Sequence, residues 1–266
     1  MADPHLPRRT FLSASLLGLS GAALMSACGS AGGDDDDSSA TGSADAWATG
    51  GTSAMVDKDS YPDPFSAGVP SCAVLATTTL GPCTTDDVLT REDVSEGYPG
   101  LPVRLMIKVV DTNCDPVEGL RVRIWHTDRR GVYSGDTPNP GVCSGNESEA
   151  VSTDWFRGSQ LTDADGVVAF DSCFPGWYGG RAVHIHYQVL DGDTSWEVSQ
   201  LFFPEDVTEE IFDSHADYEE FGQPDTVFSN DGIVQGIGMA NLSPHILDVQ
   251  RTSDGAMLAS AVVAVS

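Results

Sequence analysis

Basic side chains are scarce in this chain of 266 residues, which has 13 lysine and arginine residues against 40 aspartate and glutamate residues and a formal net charge of −27. A polyanion of this kind has no electrostatic attraction to nucleic acid or to anionic lipid. The composition therefore excludes a protein that binds nucleic acid through charge. We interpret the acidic excess as a feature that favours solubility rather than as an acidic binding surface.

Cysteine spacing of the zinc-binding type is also lacking, although the chain has six cysteines. One of them, Cys28, follows a short apolar segment and is considered below with that segment. In an oxidising compartment, two disulfides and one spare thiol would be the simplest arrangement of the other five. The sequence does not determine which pairs form among Cys72, Cys83, Cys114, Cys143 and Cys173.

The apolar run at residues 11–25 is short for a membrane span, and its flanks are those of a signal peptide. Arg8 and Arg9 precede it and resemble a twin-arginine export signal. Residues 25–28 resemble a lipoprotein cleavage box, so we expect residues 1–27 to be removed and Cys28 to be lipidated. Plain secretion after cleavage near Cys28 is the alternative. A lipid on Cys28 is the only membrane attachment that we expect.

The composition changes abruptly after Cys28 and is dominated by glycine, serine, alanine, threonine and aspartate, including four consecutive aspartates at residues 34–37. Such a stretch buries too little apolar surface to offset its ordering entropy. We therefore predict a flexible tether over residues 28–66 and a folded domain over residues 67–266.

Within the predicted domain, apolar residues alternate with other residues over 103–109, 120–124 and 183–189, whereas long helical periodicity is absent. Turn-forming residues separate these segments. The pattern predicts a mostly β domain, an antiparallel β-sandwich with functional loops at one end and little helix. The one short helix that we expect lies between Pro204 and Tyr218.

Two histidines stand two residues apart in one of the predicted strands. His184 and His186 should point to the same face, while Val183 and Ile185 enter the core. Two imidazoles on one face form half of a metal site, although a polar outer face of an edge strand has the same pattern. Tyr178, on a glycine-rich loop just upstream, can fold back beside them and add a hard anionic oxygen ligand that favours Fe(III).

Seven motifs succeed one another along the domain and are specific in combination. They are IWHTD at 124–128, GVYSG at 131–135, FRG at 156–158, TDADG at 162–166, PGWY at 175–178, RAVHIH at 181–186 and QLFF at 200–203. With them the chain resembles the intradiol ring-cleavage dioxygenases, mononuclear non-haem iron(III) enzymes of catechol breakdown. The resemblance extends from Gly81 to the turn at residues 230–232 and is strongest to secreted members of the family.

The resemblance implies a metal site with two tyrosine and two histidine ligands. Tyr178, His184 and His186 match three of these ligands. Tyr133 is the candidate for the second tyrosine, and Asp136, three residues farther along, is its rival because a carboxylate is also a hard anionic donor.

The same resemblance implies that Arg181 contacts the substrate and stabilises developing negative charge, and that Gln200 lines the pocket. The expected reaction opens the ring of a small aromatic diol between its two hydroxylated carbons with O₂, giving a muconate-type product. A non-catalytic sandwich that binds a ligand is the main alternative, which loss of the second tyrosine would favour, and a copper or zinc hydrolase is a weaker one. The sequence leaves the particular catechol and the oligomeric state open.

Overall fold

Eight strands in two sheets form the body of the domain in the computed structural model, which describes residues 46–69, 71–86 and 89–266. The predicted export signal and Cys28 lie outside these residues. The strands are β1 Pro102–Val110, β2 Arg121–Trp125, β3 Arg157–Leu161, β4 Val167–Cys173, β5 His184–Asp191, β6 Thr194–Phe202, β7 Asp248–Arg251 and β8 Met257–Ala264.

Helices are short and lie at the ends of the sheets or in the connections. The α-helices are α1 Pro140–Cys143, α2 Ser148–Val151, α3 Glu205–Ser214 and α4 Gly232–Ile237, and 3₁₀ turns occupy Gly51–Ala54, Lys58–Ser60, Glu219–Phe221, Met239–Asn241 and Ser243–His245. Helix α3 confirms the helix predicted after Pro204; it buries Ile211 and Phe212. None of the helices in the described ranges has the length and apolar character needed to cross a membrane.

The two sheets have four strands each, in the orders β4-β1-β8-β7 and β3-β2-β5-β6. All neighbours in the second sheet are antiparallel, and they pair Trp125 with His186 and His186 with Gln200. The mostly β sandwich is therefore confirmed. One pairing departs from the antiparallel prediction, because β1 and β8 run parallel, with Val103 opposite Met257.

The core lies between the sheets and is built from the alternating positions read in the sequence. Val103 and Ile107 of β1, Ile124 of β2, and Ile185 and Val189 of β5 all belong to one buried cluster. Complete burial of such a side chain contributes about 1.5–3 kcal/mol. The alternation thus fixes which face of each strand is inward, and with it the face on which the two histidines lie.

Residues 46–66 lie against the domain where a flexible tether was predicted. The Trp47 indole donates to Glu210 (2.9 Å), the Ala48 amide donates to Gly255 O (2.8 Å), and Lys58 forms an ion pair with the buried carboxylate of Asp171 (2.5 Å). Bulk composition missed these anchors because each is a single side chain or backbone group, which an average over the stretch does not register. The structure departs from the prediction here; residues 28–45 lie outside the described ranges.

Two disulfides join segments that are distant in sequence. Cys72 pairs with Cys114, Cys83 pairs with Cys143, and Cys173 is a buried free thiol. This matches the expected two disulfides and one spare thiol, and it supplies the pairing that the sequence left open.

Candidate metal centre

His184 and His186 stand at the beginning of β5 and are both 3% exposed. Their Nε2 atoms lie 3.2 Å apart, so the two rings present the same edge to one point. The intervening Ile185 is completely buried in the core, as its alternation with the histidines predicts. The strand therefore delivers two imidazole nitrogens to the interior of the domain.

Hydrogen bonding leaves the His184 Nε2 atom available as a ligand. The His184 Nδ1 atom lies 2.6 Å from Ala182 O, which assigns the ring proton to Nδ1 and a lone pair to Nε2. Burial, together with the charge of Arg181, lowers the pKa of His184 to about 3, and burial also lowers the pKa of His186 well below its usual range. Both rings are thus neutral at neutral pH, which is the metal-binding form.

Two tyrosine oxygens complete the cluster. Tyr133 Oη lies 3.4 Å from His184 Nε2 and 3.5 Å from Tyr178 Oη, and Tyr178 Oη lies 3.4 Å from His184 Nε2. Gly131 allows the two tyrosine segments to approach, because it has φ +81° and a Cβ atom there would lie 2.0 Å from Trp177 O. A side chain at that position would push the Tyr133 segment away from the loop that carries Tyr178.

The distances within the cluster match those around one metal ion. Four donors about 2.0–2.1 Å from a common centre in a tetrahedral arrangement lie about 3.3 Å from one another. The separations between His184 Nε2 and each of the other three donors, and between the two phenol oxygens, are 3.2–3.5 Å. Two imidazoles and two phenol oxygens form a donor set suited to iron. In the described ranges, no group of three or more His, Cys, Asp or Glu side chains could hold a metal ion. The oxygen donors of this cluster are the phenols of Tyr133 and Tyr178.

The phenols are protonated unless a cation lies between them. Burial raises the pKa of Tyr133 well above its usual value and also raises that of Tyr178, although the charge of Arg181 opposes the rise. A metal cation lowers the pKa of a bound ligand and so favours the phenolate. The residues present therefore fit a bound Fe(III) ion.

Arg181 lies at the edge of the cluster. Its Nη1 atom lies 3.5 Å from His184 Nε2, its Nη2 atom donates to Gln200 Oε1, and its Nε atom donates to Asp231 (2.9 Å). Gln200 Nε2 is buried and has no hydrogen-bond partner among the described residues. The structure thus brings the predicted residues Arg181 and Gln200 together beside the ligands. The Gln200 side-chain amide nitrogen remains available to donate to a bound molecule.

Asp231 is a residue of this site that the sequence reading missed. Its completely buried carboxylate accepts from Arg181 Nε, from Ala182 N (2.8 Å), and from Ile233 N (2.7 Å) and Val234 N (3.0 Å) at the beginning of α4. Burial raises the pKa of Asp231, but the Arg181 charge and the backbone donors outweigh it and the net shift is downward. An aspartate before a glycine and an apolar run is a helix-cap signal, which is the signal that was overlooked.

Trp125 also contacts the cluster. Its ring stacks on His186 with centroids 5.0 Å apart and an interplanar angle of 7°. Its neighbour His126 has both ring nitrogens hydrogen-bonded, to Thr127 O (2.8 Å) and to Ser172 Oγ (2.7 Å), and so has a structural role. Asp136, the rival to Tyr133, is exposed, whereas Tyr133 is 3% exposed.

A family model described as "Dioxygenase" matches residues 77–231, which is more than half of the chain and includes the whole cluster. The chain belongs to the intradiol ring-cleavage dioxygenase family. Members of this family use non-haem iron(III). Comparison with the curated proteins gave no match by sequence.

Solved structures of this family share the fold. The intradiol ring-cleavage dioxygenase from Tetranychus urticae has a TM-score of 0.63 at 25% identity, covering 73% of this chain and 95% of that chain. The dioxygenase domain of a dioxygenase–carbohydrate-binding fusion from Streptomyces sp. SirexAA-E has 0.52 at 20%, covering 72% and 97%. The 3-chlorocatechol 1,2-dioxygenase from Rhodococcus opacus 1CP has 0.50 at 17%, covering 74% of each chain. The last two are similar in fold alone.

Proposed function

We propose that this domain is a non-haem iron(III) dioxygenase that opens the ring of catechol-type aromatics between the two hydroxylated carbons with O₂, giving a muconate-type product. Family membership supports an oxygenase role. The observation that carries the finer proposal is the convergence of two tyrosine oxygens and the His186 nitrogen on His184 Nε2, each within 3.2–3.4 Å of it.

In this proposal, iron is held by Tyr133, Tyr178, His184 and His186. When bound, iron(III) supplies a Lewis-acidic, redox-active centre that makes a coordinated catechol reactive towards O₂. Tyr178 is the better placed of the two tyrosines to take up a proton from a substrate hydroxyl at its Oη atom. It lies on a loop with two following glycines, whereas the Tyr133 backbone is held by Cys143. Burial raises the pKa of both phenols, so either would hold a proton when no cation is beside it.

Arg181 faces the position at which the substrate acquires negative charge. Asp231 and Gln200 hold its guanidinium from two sides, so little reorganisation is needed when that charge develops. The burial of the surrounding side chains keeps bulk water from screening the interaction. Arg181 therefore acts on the substrate electrostatically and is not required to hold the metal.

The proposal is tested by purifying the protein aerobically with iron supplied, followed by an iron assay and oxygen uptake on a panel of catechols. We expect about one iron per chain, a visible tyrosinate-to-iron(III) charge-transfer band and a ring-opened product containing both atoms of ¹⁸O₂. His184→Ala should abolish iron and colour, whereas His215→Ala, which removes a bond to Ala48 O outside the cluster, should keep both. A colourless, zinc-loaded wild-type protein would contradict the proposal.

The alternative of a non-catalytic binding module depended on a missing second tyrosine. The position of Tyr133 within 3.5 Å of Tyr178 counts against that alternative. Iron content and colour separate the two, because a binding module with a partial site should retain neither.

We further propose that the domain is exported and attached to the cell envelope by a lipid on Cys28. The sequence of residues 1–28 motivates this, and two disulfides within the domain are typical of an oxidising compartment. Mass spectrometry of the native N-terminus tests the proposal, with a diacylglyceryl-modified Cys28 as the expected result. An unmodified Cys28 would contradict it, and Cys28→Ala should give a protein that is not anchored.

A further inference from the structure

Arg157, the first residue of β3, places a buried positive charge near Tyr133, on the face of the sheet that also carries Trp125 and His186. It is 5% exposed, and although burial lowers its pKa to about 10 it remains charged at neutral pH. Its hydrogen-bond acceptors are neutral: Ser134 O (2.9 Å from Nε), Ser134 Oγ (3.3 Å) and Cys83 O (2.7 Å from Nη2). None of the ion pairs formed within the described ranges includes Arg157.

No carboxylate in the described part of the chain is hydrogen-bonded to Arg157, and the charge of Asp154 offsets only part of the cost of burying this cation. Neutral donors could satisfy the same neutral acceptors at less cost. Local packing alone therefore does not explain why a charged side chain occupies this position. Arg157 binds the carbonyls of Cys83 and Ser134. Ser134 follows Tyr133 in the chain, and Cys83 packs against Tyr133.

These contacts form a closed ring. Arg157 binds the carbonyl of Ser134, the residue after Tyr133, and the carbonyl of Cys83. Cys83 is joined by a disulfide to Cys143, whose carbonyl accepts from the Tyr133 amide (2.9 Å). Tyr133 is thus held on both sides of its Cα atom. On one side its amide donates to the disulfide-bonded Cys143, and on the other the Arg157 guanidinium binds the carbonyl of the next residue, Ser134.

Gly135 provides the space for this guanidinium. It has φ +90°, and a Cβ atom there would lie 2.9 Å from Arg157 Nε and 2.8 Å from Thr85 Cγ2. The planar fork of arginine can bind two carbonyls at once, whereas a lysine ammonium is a single point charge on a flexible stem. The geometry is therefore specific for arginine.

We propose that Arg157 is the positioning residue of Tyr133: it fixes the backbone that carries the phenol and holds a positive charge beside it. The inference rests on the proposed function in one respect, that Tyr133 is a metal ligand. Arg157 itself touches neither substrate nor metal in this proposal and acts through Tyr133.

Arg157→Gln and Arg157→Lys test the inference, with Arg104→Gln as the matched control. Arg104 is also largely buried, but it lies in the other sheet and pairs with Asp171 and Glu92. Three quantities are measured: iron affinity against a competing chelator, the position of the visible band, and amide hydrogen exchange at residues 133–135 compared with residues 184–186. The exchange measurement is made on metal-free protein, so it does not depend on iron binding.

Loss of a residue that orients a ligand typically weakens metal binding by about 10–100-fold. We expect a loss of this size and a shifted visible band for Arg157→Gln, a smaller loss for Arg157→Lys, and wild-type values for Arg104→Gln. Exchange should accelerate at residues 133–135 and stay unchanged at residues 184–186. If Arg157→Gln does not fold, Arg157→Lys decides through amide exchange at residues 133–135, which reports on the Tyr133 segment alone.

Wild-type affinity, band and exchange in a folded Arg157 variant would overturn the inference. If the wild-type protein bound no iron, the proposed function would fail, and the exchange data would still decide whether Arg157 positions Tyr133. Accelerated exchange at 133–135 would then support positioning, and unchanged exchange would overturn it.

Discussion

Replacing Asp231 by Asn is expected to disable Arg181 while leaving the metal ligands in place. The Asp231 carboxylate accepts four hydrogen bonds, two from the beginning of α4 and two from Arg181 Nε and Ala182 N. Asparagine keeps one oxygen, which can retain the bonds to α4. The NH₂ group of asparagine would then face the N–H groups of Arg181 and Ala182. All three are donors, so both hydrogen bonds would be lost.

The magnitude follows from the burial of the pair. Removing one partner of a buried ion pair costs about 3–5 kcal/mol, and we expect about 3 kcal/mol here because the Arg181 side chain is 18% exposed. Turnover should fall by about 10²–10³-fold, the usual cost of losing one electrostatic stabiliser, since Arg181 would be held by Gln200 alone.

The effect on stability should depend on pH. Burial raises the pKa of Asp231, but the Arg181 charge and the backbone donors lower it by a larger amount. The folded-state pKa therefore lies below the usual 3.8. A carboxylate with a depressed pKa contributes stability that is complete above the unfolded-state pKa and is lost as the pH falls through the folded-state value. The difference between wild type and Asp231→Asn should therefore be largest at neutral pH and shrink in acid.

Urea unfolding at neutral and acidic pH, iron content, and oxygen uptake per bound iron measure these effects. Asp171→Asn is the matched control. Asp171 is a buried carboxylate on β4 of the other sheet, and it pairs with Arg104 and Lys58. It should lose stability and keep turnover per iron. The reasoning is refuted if Asp231→Asn turns over within a few-fold of wild type, or if its stability deficit is undiminished in acid.

Three further predictions concern the same site. Tyr133→Phe should shift the visible band and slow turnover, while Asp136→Asn, at an exposed position, should change neither; visible spectra of both variants decide between them. Arg181→Ala should keep its iron and lose about 10²–10³-fold in turnover, and activity within a few-fold of wild type would rule out its electrostatic role. Replacing Cys83 and Cys143 by Ser opens a disulfide that spans 60 residues, so urea unfolding should report a loss of about 4 kcal/mol and the visible band should weaken as Tyr133 loosens.

The histidine pair could be predicted from sequence because its geometry is local. In a strand, positions two apart share a face whatever the strand pairs with, so His184 and His186 follow from alternation alone. Helix α3 was also found from a local pattern. Tyr178 needed only the short glycine-rich loop that precedes β5.

The rest of the site depends on contacts between distant segments. Arg181 meets Asp231 across 50 residues, and Arg157 meets Cys83 across 74. The strand and helix periodicities in the sequence carry no information about contacts between segments so far apart. The stacking of Trp125 on His186 depends likewise on the register between β2 and β5, which the sequence did not fix. The attachment of residues 46–66 was missed because single anchoring residues decide it.

The position of β8 has a consequence for how the domain is made. This last strand lies inside its sheet, between β7 and the first strand β1. While the chain is being synthesised, the N–H and C=O groups along one edge of β1 stay unpaired until nearly the whole domain has emerged, and long-range parallel pairing is slow. A nascent chain that lacks β8 therefore has a gap through the middle of a sheet, and we expect truncation before Met257 to yield aggregates rather than a smaller soluble domain.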